Sequence, residues 1–175
     1  MRPGYLRYTS IHHKIMHLQK KWNTDTNLIF LDFDGVFIIP RKDKKEYLER
    51  ISLLCRTYQL KAVITSTWRF NMDRCEELLK PYDIAILGRT ELEGNDRNTQ
   101  IMNYLKTHPF HHILILDDMF LVQFQDYTVH TDFYTGFDEF SYLKAVQILE
   151  RQAKEDKKWS ILQAIHMVNK TECYG

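Results

Sequence analysis

Four short apolar runs, residues 28–31, 62–65, 84–87 and 113–116, punctuate this chain, and helical periodicity separates each from the next. Runs of that length fit strands covered on both faces better than buried helices. Between them, Leu48, Ile51, Cys55 and Tyr58 share one helical face, residues 73–80 form a second helix, and Ile101, Tyr104 and Leu105 mark a third. A weaker strand covers 128–130, and a helix over 141–151 carries Leu143, Val146, Ile148 and Leu149. Strands alternating with helices imply parallel crossover units. The expected fold is therefore an α/β three-layer sandwich around a mostly parallel five-stranded sheet.

The flanks are helical as well. Ile11, Ile15, Leu18 and Trp22 lie on one face of an amphipathic helix, with Ser10 placed to cap it. The charged run Lys154-Glu155-Asp156-Lys157-Lys158 reads as a break before a last helix bearing Trp159, Leu162, Ile165 and Met167. The expected organisation is an N-terminal helix packed on the core over 1–27, the core over 28–152, and a helical extension over 153–175.

In open parallel sheets the ligand sits beyond the carboxyl ends of the strands, so function is sought in the residues that follow each run. Asp32 and Asp34 follow the first, Thr65 and Ser66 end the second, Asp117 and Asp118 follow the fourth, and Arg97 opens the helix before that fourth strand. A carboxylate at the end of a buried strand is costly unless it is paired or metal-bound. Asp32 is the candidate nucleophile. Asp34, two residues on, is placed to protonate a leaving oxygen and then activate water. Gly35 permits a sharp backbone exit. Thr65 and Ser66, with free amides at a helix start, make either a phosphate cradle or an N-cap. Two adjacent acids at a strand end repel each other unless a cation joins them, and Mg2+, which takes oxygen ligands, suits Asp32, Asp34, Asp117 and Asp118. The constellation is one for phosphoryl transfer.

Composition narrows the classes further. Lys plus Arg total 24 against 23 acids, a net charge of +1, which leaves nucleic acid open because a local basic face fits within a neutral total. Cys55, Cys75 and Cys173 form no paired unit and read as reduced thiols. Without an apolar leader or a run of membrane-spanning length, the chain is expected to be soluble and cytoplasmic. His13 and His17 lack a third ligand and are placed facing solvent, while His111 and His112 are assigned to a turn.

These motifs resemble those of the haloacid dehalogenase (HAD) superfamily of phosphohydrolases over residues 28–150. Asp32-Phe33-Asp34-Gly35-Val36 matches the first motif, Thr65 or Ser66 the second, Arg97 the third (where many members carry Lys) and Asp117-Asp118 the fourth. Val63-Ile64-Thr65-Ser66-Thr67-Trp68-Arg69, Arg97 to Leu105 and Leu116-Asp117-Asp118 are similar to the Swiss Army Knife RNA-repair-like branch, with Thr131-Asp132 and Gly136-Phe137 as its closing segment. The resemblance implies a Rossmann-like core and an aspartyl-phosphate on Asp32. It makes Asp34 the general acid/base and a metal ligand through its carbonyl, Thr65 the phosphoryl binder, Arg97 the stabilising cation and Asp118 the favoured metal ligand.

The segments 36–60 and 67–96 leave no room for the cap domain that encloses small substrates in many relatives. An open site suits a nucleotide or a nucleic-acid end, with Ser66, Trp68 and Arg69 beside it and Arg41, Lys42, Lys44 and Lys45 near the entrance. Trp68 equally suits packing beneath the site. The rival readings are a phosphoprotein phosphatase, a phosphotransferase of the same fold and a binding-only relative. A receiver-type phosphoacceptor domain fits less well, because there the acid pair follows the first strand.

Overall fold

Alternation along one strand builds the sandwich. The computed structural model describes residues 3–172, with side chains described from 11 to 167. In β1 (Asn27–Leu31), Leu28, Ile29, Phe30 and Leu31 are all fully buried. Successive side chains point to opposite faces. Ile29 and Leu31 therefore enter one core, with residues of α2 (Lys45–Tyr58), α3 (Met72–Leu79) and α5 (Glu139–Glu172). Leu28 and Phe30 enter the other, with Ile11 and Ile15 of α1 (Pro3–Trp22) and Ile101, Met102 and Leu105 of α4 (Arg97–Thr107).

The remaining strands are β2 (Leu60–Ile64), β3 (Ile86–Arg89), β4 (Ile113–Asp117) and β5 (Thr128–His130). They form one sheet in the order β3-β2-β1-β4-β5, and every pairing is parallel. The fold is thus the expected Rossmann-like α/β sandwich, and no cap domain interrupts it. Among the described residues no helix is long and apolar enough to cross a membrane. Cys55 and Cys75 are buried free thiols, and Cys173 lies outside the described residues.

Three local expectations are corrected. The charged run at 154–158 does not break the last helix, since α5 is continuous from Glu139 to Glu172. Residues 139–172 contain neither Gly nor Pro. Lys and Glu are good helix formers, and Arg151 pairs with Glu155 one turn on. Helix α1 begins at Pro3, so Ser10 lies inside it and not at its cap. The third strand sits two residues later than its apolar run: Ile84 is buried in the turn after α3, and β3 is an edge strand of alternating exposure.

The short β5 leaves the start of β4 without a strand partner on one side, because their pairing begins only at Ile115 and Thr128. Gln152 of α5 takes its place. Its Oε1 accepts from the Ile113 amide at 3.1 Å, and its Nε2 donates to the Ile113 carbonyl at 2.8 Å, all of it buried. A buried backbone group left unpaired costs about 1–3 kcal/mol. Gln152→Ala strands two of them, so urea denaturation should show a loss of about 2–6 kcal/mol, whereas substitution of the exposed Gln147 on the same helix should change little.

Candidate active site

The sheet order sets β2, β1 and β4 side by side, and the register aligns Ile64, Leu31 and Leu116. The next residue of each strand is Thr65, Asp32 and Asp117, so these three stand level at the carboxyl edge. The ladder continues through them: the Thr65 amide donates to the Leu31 carbonyl at 3.1 Å, and the Asp32 amide to the Leu116 carbonyl at 3.0 Å. The backbone is therefore held in register up to these three residues.

Arg97 joins the three. Its Nη1 donates to Asp117 Oδ2 at 2.5 Å and to Thr65 Oγ1 at 3.1 Å, and lies 3.8 Å from Asp32 Oδ1. The start of α4 positions it: Asp96 caps that helix by accepting from the amides of Asn98 and Thr99. Asp117 is fully buried, and its other oxygen accepts from the Met119 amide at 2.9 Å. Asp118 is partly exposed, and its carboxylate makes no hydrogen bond or ion pair among the described residues.

Oxygen atoms of Asp32, Asp117 and Asp118 all lie within 4.8 Å of one another. Arg97 supplies a single positive charge against these three acids, so the cluster is under-neutralised. Burial, with the Asp117 charge adding to it and Arg97 opposing it, pushes Asp32 up to about 7. Burial also raises Asp117, against the pull of Arg97. An all-oxygen donor set with excess negative charge fits a hard divalent cation such as Mg2+.

The loop from Phe33 to Ile38 closes over this edge, with the amides of Val36, Phe37 and Ile38 converging on the Phe33 carbonyl. Gly35 has a positive φ of 74°, and a Cβ there would meet Asp118 Oδ2 at 2.6 Å. Only glycine lets the backbone come this close to Asp118. After β5, buried Thr131 donates its hydroxyl to the Gly35 carbonyl at 2.7 Å, and the Phe137 amide donates to the Val36 carbonyl at 2.8 Å. The closing segment thus braces the loop that follows Asp32.

The other candidate residues fall into distinct places. Asp34 is half-buried and accepts from Trp68 Nε1 at 3.1 Å, so the indole holds the carboxylate. Ser66 caps the 3-10 turn after β2, its hydroxyl accepting from the Trp68 amide at 3.3 Å, and it favours the charged form of Asp32. Arg69 is buried, donating Nε to the Glu91 carbonyl and Nη1 to the carbonyls of Thr65 and Ser66. It thereby braces the Thr65 loop. Sequence reasoning missed the Trp68–Asp34 bond and the part played by Thr131, although Thr131 stands just past a strand end, where such residues are to be sought.

A capless parallel sheet with an Asp-x-Asp loop after its central strand, a hydroxyl and an arginine beside it and an acid pair across from it defines a HAD-type phosphohydrolase domain. Residues 28–141 match the family described as the HAD domain in Swiss Army Knife RNA repair proteins, and the chain belongs to that family. No curated protein and no solved structure matches it.

The raised Asp32 has a consequence for stability when divalent cations are removed. The folded state keeps this proton up to about pH 7, whereas the unfolded chain releases it near the ordinary aspartate value of about 3.9. The native state then binds more protons, so stability falls as pH rises from about 4 to about 7. In chelator, wild type minus Asp32→Asn should show that decline in denaturation midpoints, and a difference independent of pH would contradict it.

Proposed function

We propose that the chain hydrolyses phosphate monoesters through an aspartyl-phosphate on Asp32. The observation that carries this reading is the Arg97 bridge, which gathers Thr65, Asp117 and Asp32 at one open edge.

Asp32 attacks phosphorus with one carboxylate oxygen, and the ester oxygen departs with a proton from Asp34. Asp34, now ionised and held by Trp68, takes a proton from water, which attacks the phosphorus and releases phosphate from Asp32. Arg97 and the Thr65 hydroxyl face the phosphoryl oxygens and stabilise the charge that gathers on them. Asp32, Asp117, Asp118 and the Asp34 carbonyl would hold Mg2+, which when bound would supply positive charge that keeps Asp32 ionised and offsets the phosphate charge. Asp118, whose carboxylate has no other partner among the described residues, is the better candidate for direct ligation than Asp117, which Arg97 and the Met119 amide already engage.

The substrate we propose is a nucleotide or the terminal phosphate of a nucleic acid. The family's RNA-repair description, the missing cap and the rim of the site all support it. Exposed Phe70, Phe120, Phe133 and Tyr134 lie in loops that follow β2, β4 and β5, and exposed Arg41 and Lys42 follow β1. Rings and cations so placed suit bases and backbone.

A phosphate-release screen with magnesium across mononucleotides, 5′- and 3′-phosphorylated oligonucleotides and phosphopeptides tests both parts. Turnover should favour the nucleotides or oligonucleotides and vanish in Asp32→Asn, while Asp34→Asn should lose about 10²–10⁴-fold. Arg97→Ala leaves Asp117 buried without its cation and should also cost about 3–5 kcal/mol of stability. Full activity in Asp32→Asn would refute the mechanism, and a phosphopeptide preference the substrate class.

A further inference from the structure

A second cluster of ligating side chains lies at the opposite edge of the sheet, where β4 begins. His111 Nε2 and His112 Nε2 lie 2.9 and 2.6 Å from the same atom, Asp156 Oδ2 of α5. The two rings are 4.0 Å apart between centroids and tilted by 31°. Neighbouring residues on an extended chain point to opposite sides. Here the turn before β4 aims both imidazoles at one carboxylate, a convergence that a simple ion pair does not require.

We infer that His111, His112 and Asp156 bind a zinc ion. Two imidazoles and a carboxylate are a donor set that zinc accepts, with water completing the tetrahedron. The frame is already built. The His111 amide donates to the Thr26 carbonyl at 2.7 Å, and Gln19 donates to the His111 carbonyl at 2.5 Å. The His112 amide donates to Asn27 Oδ1 at 3.1 Å, and the Leu28 amide to the His112 carbonyl at 2.9 Å. On the other side, Gln152 ties α5 to Ile113 one turn before Asp156. Ligands fixed in this way lose little freedom on binding.

The space is suitable too. A cavity of about 340 Å³ opens beside the cluster, bordered by His12, Gln19, His111, Glu155 and Asp156. It gives the ion a path and its water a place. With bonds of about 2.0–2.1 Å, tetrahedral ligand atoms stand about 3.3 Å apart, so the carboxylate need withdraw by only about half an ångström. Side chains of Asp156 and His111 are 42% and 36% exposed, which permits that movement. Asp156 lies beyond the family-matched residues 28–141, so the site belongs to this chain's own α5 and not to the shared domain. The ion would staple α5 to the start of β4, far from Asp32.

The test uses the full chain, stripped with chelator and then held in excess magnesium so that the catalytic acids are occupied. Calorimetric titration with zinc chloride should show one equivalent bound, and zinc should raise the melting temperature, because binding only to the folded state stabilises it. His111→Gln and Asp156→Asn should each abolish that equivalent and the shift, while Asp32→Asn keeps both. Both substituted side chains are partly exposed, and circular dichroism in chelator should match wild type. If wild type takes up no zinc, or if either folded variant binds it as wild type does, the inference is overturned.

Discussion

The contact between Arg97 and the buried carboxylate of Asp117 underlies the chemistry of this domain. A fully buried acid at a strand end is tolerated only with a partner, and the guanidinium provides one while also reaching Thr65 and approaching Asp32. Among the described residues Arg97 is the one cation ion-paired with any of Asp32, Asp117 and Asp118. Burial, with the Asp117 charge adding to it, raises Asp32, and an all-oxygen cluster of this charge fits a hard divalent cation. Stability is thereby given up locally to keep a reactive site.

Rigidity elsewhere makes that concession tolerable. Parallel register places Asp32, Thr65 and Asp117 level, and ladder hydrogen bonds run into the site. Around it, Thr131, Gly136 and Phe137 lock the loop that follows Asp32, and Gly136, with a φ of 68°, sits where a Cβ would strike the Val36 carbonyl at 2.7 Å. At the far edge Gln152 completes β4 and fixes α5. Asp32, Asp34 and the bracing loops thus rest on one sheet with an apolar core on each face.

Much of this was legible in the residues alone. Strands β1, β2 and β4 overlap compact apolar runs, and acids directly after a buried run stand out because burial is costly. Features that depend on distant partners were not legible. Trp68 could stack on a base or pack below the site, and only its bond to Asp34 decides what it does in this fold. Arg69 read as a substrate contact beside the site, whereas three backbone carbonyls engage its guanidinium in the fold. His111 and His112 read as turn residues because Asp156 is far along the chain, within a charged run taken for a break. That run continues the helix because charge alone does not interrupt helical geometry.

The central claim is that Asp32 itself takes the phosphoryl group. Acid-quenching the enzyme during turnover of a phosphorylated nucleotide substrate with magnesium, then mapping peptides by mass spectrometry, tests it most directly. A hydroxylamine-labile phosphoryl adduct on the peptide carrying Asp32, absent from Asp32→Asn, is the predicted result. Turnover with an adduct on any other residue, or turnover that persists in Asp32→Asn, would contradict it.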